Sequence, residues 1–211
     1  MQESLLFFNE GNLKRKSVML SHSTKSSSRS WKEFFACLTN SSFKFYKPIK
    51  NISSKGKLID EVCILHALAS PFEYKRPNVF SVRSSEGGFF LFECDSFDIM
   101  QKWMDSINWV AAIYSSKPLP MAASSDALQF RPPRMPKYTQ LTIYPTPVII
   151  LERKRWLEQS VAEMKQTLFA LLEKGIQSEV EEEMLNYYNW QIKKYSTYIE
   201  TISLRINNQS E

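Results

Sequence analysis

Eleven Lys and Arg residues fall between positions 11 and 57, against one acid, Glu33. The cluster opens with Lys14, Arg15 and Lys16 and continues through Lys25, Arg29, Lys32 and Lys44. It ends with Lys47, Lys50, Lys55 and Lys57. Each such side chain donates charge-assisted hydrogen bonds, the strong kind for holding phosphate oxygens. This stretch is net +10, whereas the whole 211-residue chain is only +5. Residues 58–114 hold four bases and eight acids, and the last sixty residues hold eight bases and ten acids. Charge this polarised points to an anionic partner on one face.

Other chemistries are poorly supplied. The chain offers no Gly-rich phosphate loop and no Ser/His/Asp set, so catalysis is not expected. His22 sits in a Ser-rich loop and His66 in an apolar run, and two histidines do not build a zinc site alone. Cys37, Cys63 and Cys94 lie in apolar runs without Cys-x-x-Cys spacing, which reads as buried, reduced thiols of a cytosolic protein. Neither a metal nor another cofactor is expected. Phe34, Phe35, Phe43, Phe45 and Tyr46 interleave with the bases and could imitate a base-stacking platform. They are better explained as core, so no nucleic-acid partner is expected. The longest purely aliphatic run, Val148 to Leu151, is far short of a bilayer span. The N-terminus lacks a cationic-then-apolar signal pattern. A membrane-spanning or secreted protein is not expected.

These cations need a scaffold, and the sequence divides into three regions. Residues 11–93 hold short β-rich runs at Gly11–Leu20, Trp31–Leu38, Phe43–Tyr46, Val62–Leu65, Val79–Arg83 and Phe89–Glu93. The imperfect alternation of Trp31–Leu38 suits a strand buried partly on both faces. Gly87-Gly88 marks a hairpin. Short strands at this spacing suggest a small sandwich or barrel. Residues 96–114 read as one amphipathic helix with Ser96 as N-cap. It carries Phe97, Met100, Trp103, Met104, Ile107, Val110, Ala111 and Tyr114 on the side facing a core.

Residues 115–147 contain seven prolines and read as an extended connection, apolar enough to lie against a surface. Residues 148–207 read as two long helices. The first repeats Ile150, Leu157, Val161, Met164, Leu168 and Leu171. The second repeats Leu185, Tyr188, Ile192, Tyr195, Ile199, Ile202 and Ile206. Gly175 can end the first, and Ser178 with Glu181 fits a capping box for the second. So short a turn favours an antiparallel hairpin. Tyr187, Trp190 and Tyr198 are read as exposed anchors for a partner. The spacing leaves open whether the hairpin folds back on the barrel or dimerises.

Strands followed by one capping helix with a central Trp resemble a pleckstrin homology domain over residues 8–114. Gly11-Asn12-Leu13-Lys14-Arg15-Lys16, Trp31 to Leu38, Phe43-Lys44-Phe45-Tyr46-Lys47 and Trp103 carry that resemblance. A narrower likeness rests on His66-Ala67-Leu68-Ala69-Ser70, Tyr74-Lys75-Arg76-Pro77-Asn78-Val79-Phe80 and Met100 to Asn108 with Val110-Ala111-Ala112. With Lys194-Tyr195-Ser196-Thr197-Tyr198-Ile199 in the tail, the chain resembles the C-terminal half of PSD-type exchange factors for Arf GTPases. In that family a Sec7 exchange domain precedes the pleckstrin homology domain, and a coiled-coil region follows it. Residues 1–10 leave no room for a Sec7 domain, so a regulatory half without exchange activity of its own is expected. The expected architecture is α+β, about seven antiparallel strands capped by a helix, then an antiparallel two-helix hairpin.

The resemblance implies binding of phosphoinositide headgroups, typically phosphatidylinositol 4,5-bisphosphate, at the open end of the barrel between strands one and two. The expected ligands are first Arg15, Arg29 and Lys32, then Lys14, Lys16, Lys25 and Lys44. Strand alternation keeps Lys14 and Lys16 from both facing the ligand beside Arg15. Lys47, Lys50, Lys55 and Lys57 are read as diffuse attraction to an anionic leaflet, at about 1 kcal/mol each near the surface. Two positions depart from the family pattern. Glu33 stands where many members are basic, and Phe34 where many specific binders carry Arg, which lowers the expected affinity and selectivity. The loop from Ser21 to Ser30 lacks a large apolar wedge, so attachment should be electrostatic and salt-sensitive. A peripheral position at the inner face of the plasma membrane follows. The competing expectation is an interaction module for a GTP-loaded Arf or an actin-associated partner.

Overall fold

The computed structural model describes residues 6–49, 52–119 and 130–208. Seven strands form one sheet: β1 (Phe7–Met19), β2 (Lys32–Thr39), β3 (Ser42–Ile49), β4 (Ile52–Cys63), β5 (Leu68–Pro71), β6 (Val79–Arg83) and β7 (Phe89–Glu93). Their order is β4-β3-β2-β1-β7-β6-β5, and every pairing is antiparallel.

The long first strand explains how one sheet encloses a core. Its first half, Phe7 to Arg15, pairs with β2, and its second half, Lys14 to Met19, pairs with β7. The sheet therefore changes partner along β1, and its two sides close on each other. β2 is buried on both faces from Phe34 to Thr39, as its imperfect alternation implies. Inside, the Phe43 ring lies 5.3 Å from Phe92 and 5.2 Å from Trp103, and Phe80 lies 5.1 Å from Phe92.

Trp103 comes from α1 (Phe97–Tyr114). Ser96 caps this helix by accepting from the Ile99 N–H. The buried Asn108 joins α1 to β5: its Oδ1 accepts from the Ala69 N–H at 2.9 Å, and its Nδ2 donates to the Ala69 carbonyl at 3.0 Å. Met100, Trp103, Met104, Ile107, Val110, Ala111 and Tyr114 are buried. Phe97 is not. At 57% exposed, as the first residue of α1, it corrects the inward reading of that position. Gly87, at φ +80°, lets the turn between β6 and β7 close, and the Ser84 N–H donates to the Gly88 carbonyl.

The largest differences from the sequence expectation fall in two strands. β4 begins ten residues before Val62, and Leu68–Pro71 is a strand that was not expected. Residues 137–144 belong to the barrel's compact unit. Tyr138 accepts from Ser116 at 3.0 Å, Ile143 accepts from Tyr114 at 3.2 Å, and Tyr144 packs 5.8 Å from Phe8.

The second compact unit contains α2 (Pro147–Lys174) and α3 (Glu179–Asn207), together with residues 117–119 and 130–136. Thr146 and Ser178 cap the two helices, and Gly175 at φ +80° ends the first. Glu181 closes the turn. Its carboxylate accepts from the Gln177 N–H and from Lys174 Nζ at 2.6 Å, and these bonds lower its pKa to about 2. The helices run antiparallel, with Trp156 5.6 Å from Tyr195. Leu157, Val161, Tyr195, Tyr198 and Ile202 form the buried seam. Tyr198 is fully buried, which corrects its reading as an exposed anchor: it lies one helical turn from Tyr195 on the packed face. Tyr187 and Trp190 are half-buried.

Candidate functional site

The β1 register decides which cations can converge. Leu13 and Arg15 are the two buried side chains of β1, so Arg15 faces the interior, and Lys14 and Lys16 face the other way. Arg15 is 8% exposed. Its guanidinium carbon lies 4.2 Å from the Phe45 ring centroid and 4.8 Å from that of Phe34. Nη2 donates to Asp60 Oδ2 at 2.7 Å. Nη1 is buried with no hydrogen-bond partner. Burial lowers the Arg15 pKa and Asp60 opposes that shift, so the group stays charged.

Arg15 sits at the side of a cavity of about 430 Å³. Lys32 and Lys47 contribute two further cations, and Ser17, Ser26, Ser28 and Ser30 contribute hydroxyls. Phe34, Pro48, Ile59 and Leu20 supply apolar wall, and Glu33 and Asp60 supply carboxylates. The volume suits a small polar ligand. Three cations, one with an unanswered buried donor, suit an anion bearing several acceptor oxygens. Lys32 is the cross-strand partner of Arg15, so the ladder itself brings these two together. Lys47 reaches the same space from β3, although its sequence position suggested only diffuse attraction.

The other sequence candidates lie elsewhere. Arg29 and Lys25 are exposed in the connection from β1 to β2 and do not line the cavity, whereas their neighbours Ser26, Ser28 and Ser30 do. That connection folds back on β1 through Ser26 N–H to the Val18 carbonyl, at 3.1 Å. Lys14 lies 4.0 Å from Glu93 and borders a separate cavity of about 270 Å³. Lys16 donates to the Tyr74 hydroxyl at 2.9 Å, which lowers the Tyr74 pKa. Lys44 pairs with Glu61 at 3.7 Å. Lys57 is exposed. Lys50 and the side chain of Lys55 lie outside the described residues.

Sequence reasoning missed Asp60 and the serine hydroxyls. Asp60 stands 45 positions from Arg15, on a strand that does not pair with β1, so no local pattern could have joined them.

Among the described residues no group of three or more His, Cys, Asp or Glu could hold a metal ion, and no helix is long and apolar enough to cross a membrane. Cys37 and Cys94 are buried and Cys63 is partly so, none of them in a disulfide. Burial pushes the Cys94 thiol up to about 12, far from a reactive thiolate.

A seven-stranded antiparallel sheet closed around an aromatic core and capped by one helix defines the class of fold. Residues 8–112 match the pleckstrin homology domain model, and this part of the chain is a pleckstrin homology domain, a non-catalytic module. Among solved structures it is similar to the pleckstrin homology domain of ArhGAP27, at 21% identity and TM-score 0.44, covering 49% of this chain and 97% of that one. It is also similar to the carboxyl-terminal pleckstrin homology domain of pleckstrin, at 11% identity and TM-score 0.42, covering 50% and 97%. The relationship reaches beyond the domain. Over 210 residues, 95% of this chain, it is 28% identical to the exchange factor for Arf-6 of Caenorhabditis elegans. The chain spans a quarter of that relative's length.

Proposed function

We propose that this chain is the membrane-targeting and regulatory part of an exchange factor for Arf GTPases. It grips phosphoinositide headgroups, phosphatidylinositol 4,5-bisphosphate foremost, in the cavity of Arg15, Lys32 and Lys47. It thereby holds the exchange factor at the cytoplasmic face of the plasma membrane without catalysing exchange itself. One observation carries the reading: a buried guanidinium with an unpartnered Nη1 lines a cavity it shares with two further cations. A buried charged donor left unmet is costly, and an anionic ligand is the natural acceptor. Lys25, Arg29 and Lys57 remain exposed around this end and add longer-range attraction to an anionic leaflet.

A second reading is a protein-interaction module for a GTP-loaded Arf or an actin-associated partner. The helical unit favours it, since Phe169 and Leu172 are 62% and 54% exposed on α2. Co-sedimentation separates the two. With vesicles of neutral lipid and phosphatidylserine, adding phosphatidylinositol 4,5-bisphosphate should raise the pelleted fraction of the full chain. Pelleting indifferent to that lipid would favour the interaction module.

A further inference from the structure

Asp60 places a carboxylate beside the cations that line the cavity. Its carboxylate is held at two points: Oδ2 accepts from Arg15 Nη2 at 2.7 Å, and Oδ1 accepts from the Glu61 N–H at 2.8 Å. Arg15 is equally fixed, by Phe45 and Phe34 against its guanidinium. One edge of that guanidinium is therefore answered by protein, and Nη1 is buried and unanswered. Asp60 and Arg15 both line the cavity, so a phosphate that enters beside Arg15 also comes close to a fixed carboxylate.

The charge balance makes this contact consequential. Arg15, Lys32 and Lys47 oppose Glu33 and Asp60, leaving one net positive charge on the lining. Coulomb repulsion grows with the product of the charges, so the penalty from Asp60 rises with each phosphate the ligand carries. Like-charge contacts across an interface are a principal means of rejecting wrong partners.

We infer that Asp60 is a specificity residue: it orients Arg15 for the ligand while taxing highly phosphorylated headgroups more than lightly phosphorylated ones. The inference rests on the phosphoinositide reading above. It assigns to one carboxylate both the fixed posture of the guanidinium and a ceiling on affinity.

Calorimetric titration of the full chain with soluble inositol monophosphate and inositol trisphosphate tests it. Asp60→Asn keeps a carbonyl that can accept from Arg15 but removes the charge. It should bind the trisphosphate about tenfold more tightly than the parent chain, a gain of about 1.4 kcal/mol. The gain for the monophosphate should be about threefold or less. Glu33→Gln removes an equal charge from the lining without touching Arg15 and should give a smaller gain. Asp60→Ser supplies the same readout if the amide variant fails to fold. Unchanged or weaker trisphosphate binding by the Asp60 variants would overturn the inference, as would equal gains for the two ligands or an equal gain from Glu33→Gln. Binding by the parent chain without a gain in the variants removes the inference alone. Absence of inositol phosphate binding in every protein removes the phosphoinositide reading, and the inference with it.

Discussion

Arg15 and Lys32 are direct cross-strand partners in the β1–β2 ladder, and both line one cavity. Like charges placed directly opposite each other weaken a sheet. The fold accepts that cost at the first residue of β2. Asp60 relieves the buried member of the pair, and Lys32 remains exposed. A site of this kind is ready for an anion, which would neutralise both cations together.

Lys32 and Lys47 are exposed, so replacing either should change binding more than stability. Hydrogen bonds to charged groups are worth about 1.5–3 kcal/mol each. Lys32→Ala and Lys47→Ala should each weaken phosphoinositide-dependent vesicle binding about tenfold or more, without lowering the thermal midpoint. Arg29→Ala should cost less, and its effect should fade at high salt because Arg29 lies outside the cavity. Co-sedimentation across a salt series measures both effects.

Arg15→Lys retains the charge and loses the fork. Lysine cannot serve Asp60 and a ligand from two fixed edges, nor stack as a plane against Phe34 and Phe45. Most headgroup affinity should therefore be lost even though the net charge is unchanged. Equal affinity of the two proteins in calorimetry would show that charge alone suffices.

Trp103 ties α1 to the aromatic core and is 2% exposed. Trp103→Ala should destabilise the domain by about 3–5 kcal/mol, read as a lower urea midpoint.

Lys194 is 2% exposed, and burial, with Arg153 nearby, lowers its pKa from 10.5 to about 7. The Tyr195 ring lies 5.3 Å from its ammonium. Between pH 7 and pH 10 the unfolded chain holds this proton and the folded chain does not, so Lys194 contributes a stability that rises with pH across that window. Lys194→Met should raise the melting temperature at pH 7 and flatten the dependence. A Lys194→Met chain with the same pH dependence as the parent would contradict this.

The legible parts of the molecule are those whose signals are local. The α1 helix was readable because Ser96 and the 3–4 spacing around Trp103 act within a few residues. The α2–α3 turn was readable from Gly175, Ser178 and Glu181 for the same reason. β4 was not, because register irregularities between Phe45 and Ile49 break the period-two pattern on its partner. The four-residue β5 is too short to show a period, and it is placed by Asn108, which lies 39 positions from Ala69. At the site, Arg15 and Lys32 were readable as strand cations. Lys47 and Asp60 enter the cavity only through the folding of the sheet, which no spacing along the chain encodes.

Amide and side-chain chemical-shift mapping by NMR, with inositol trisphosphate titrated into the full chain, tests the central claim most directly. The account predicts the largest shifts at the Arg15 guanidinium, Ser28, Lys32 and Lys47. Shifts confined to Lys16, Tyr74 and Arg76 on the other face of β1, or no shifts at millimolar ligand, would contradict it.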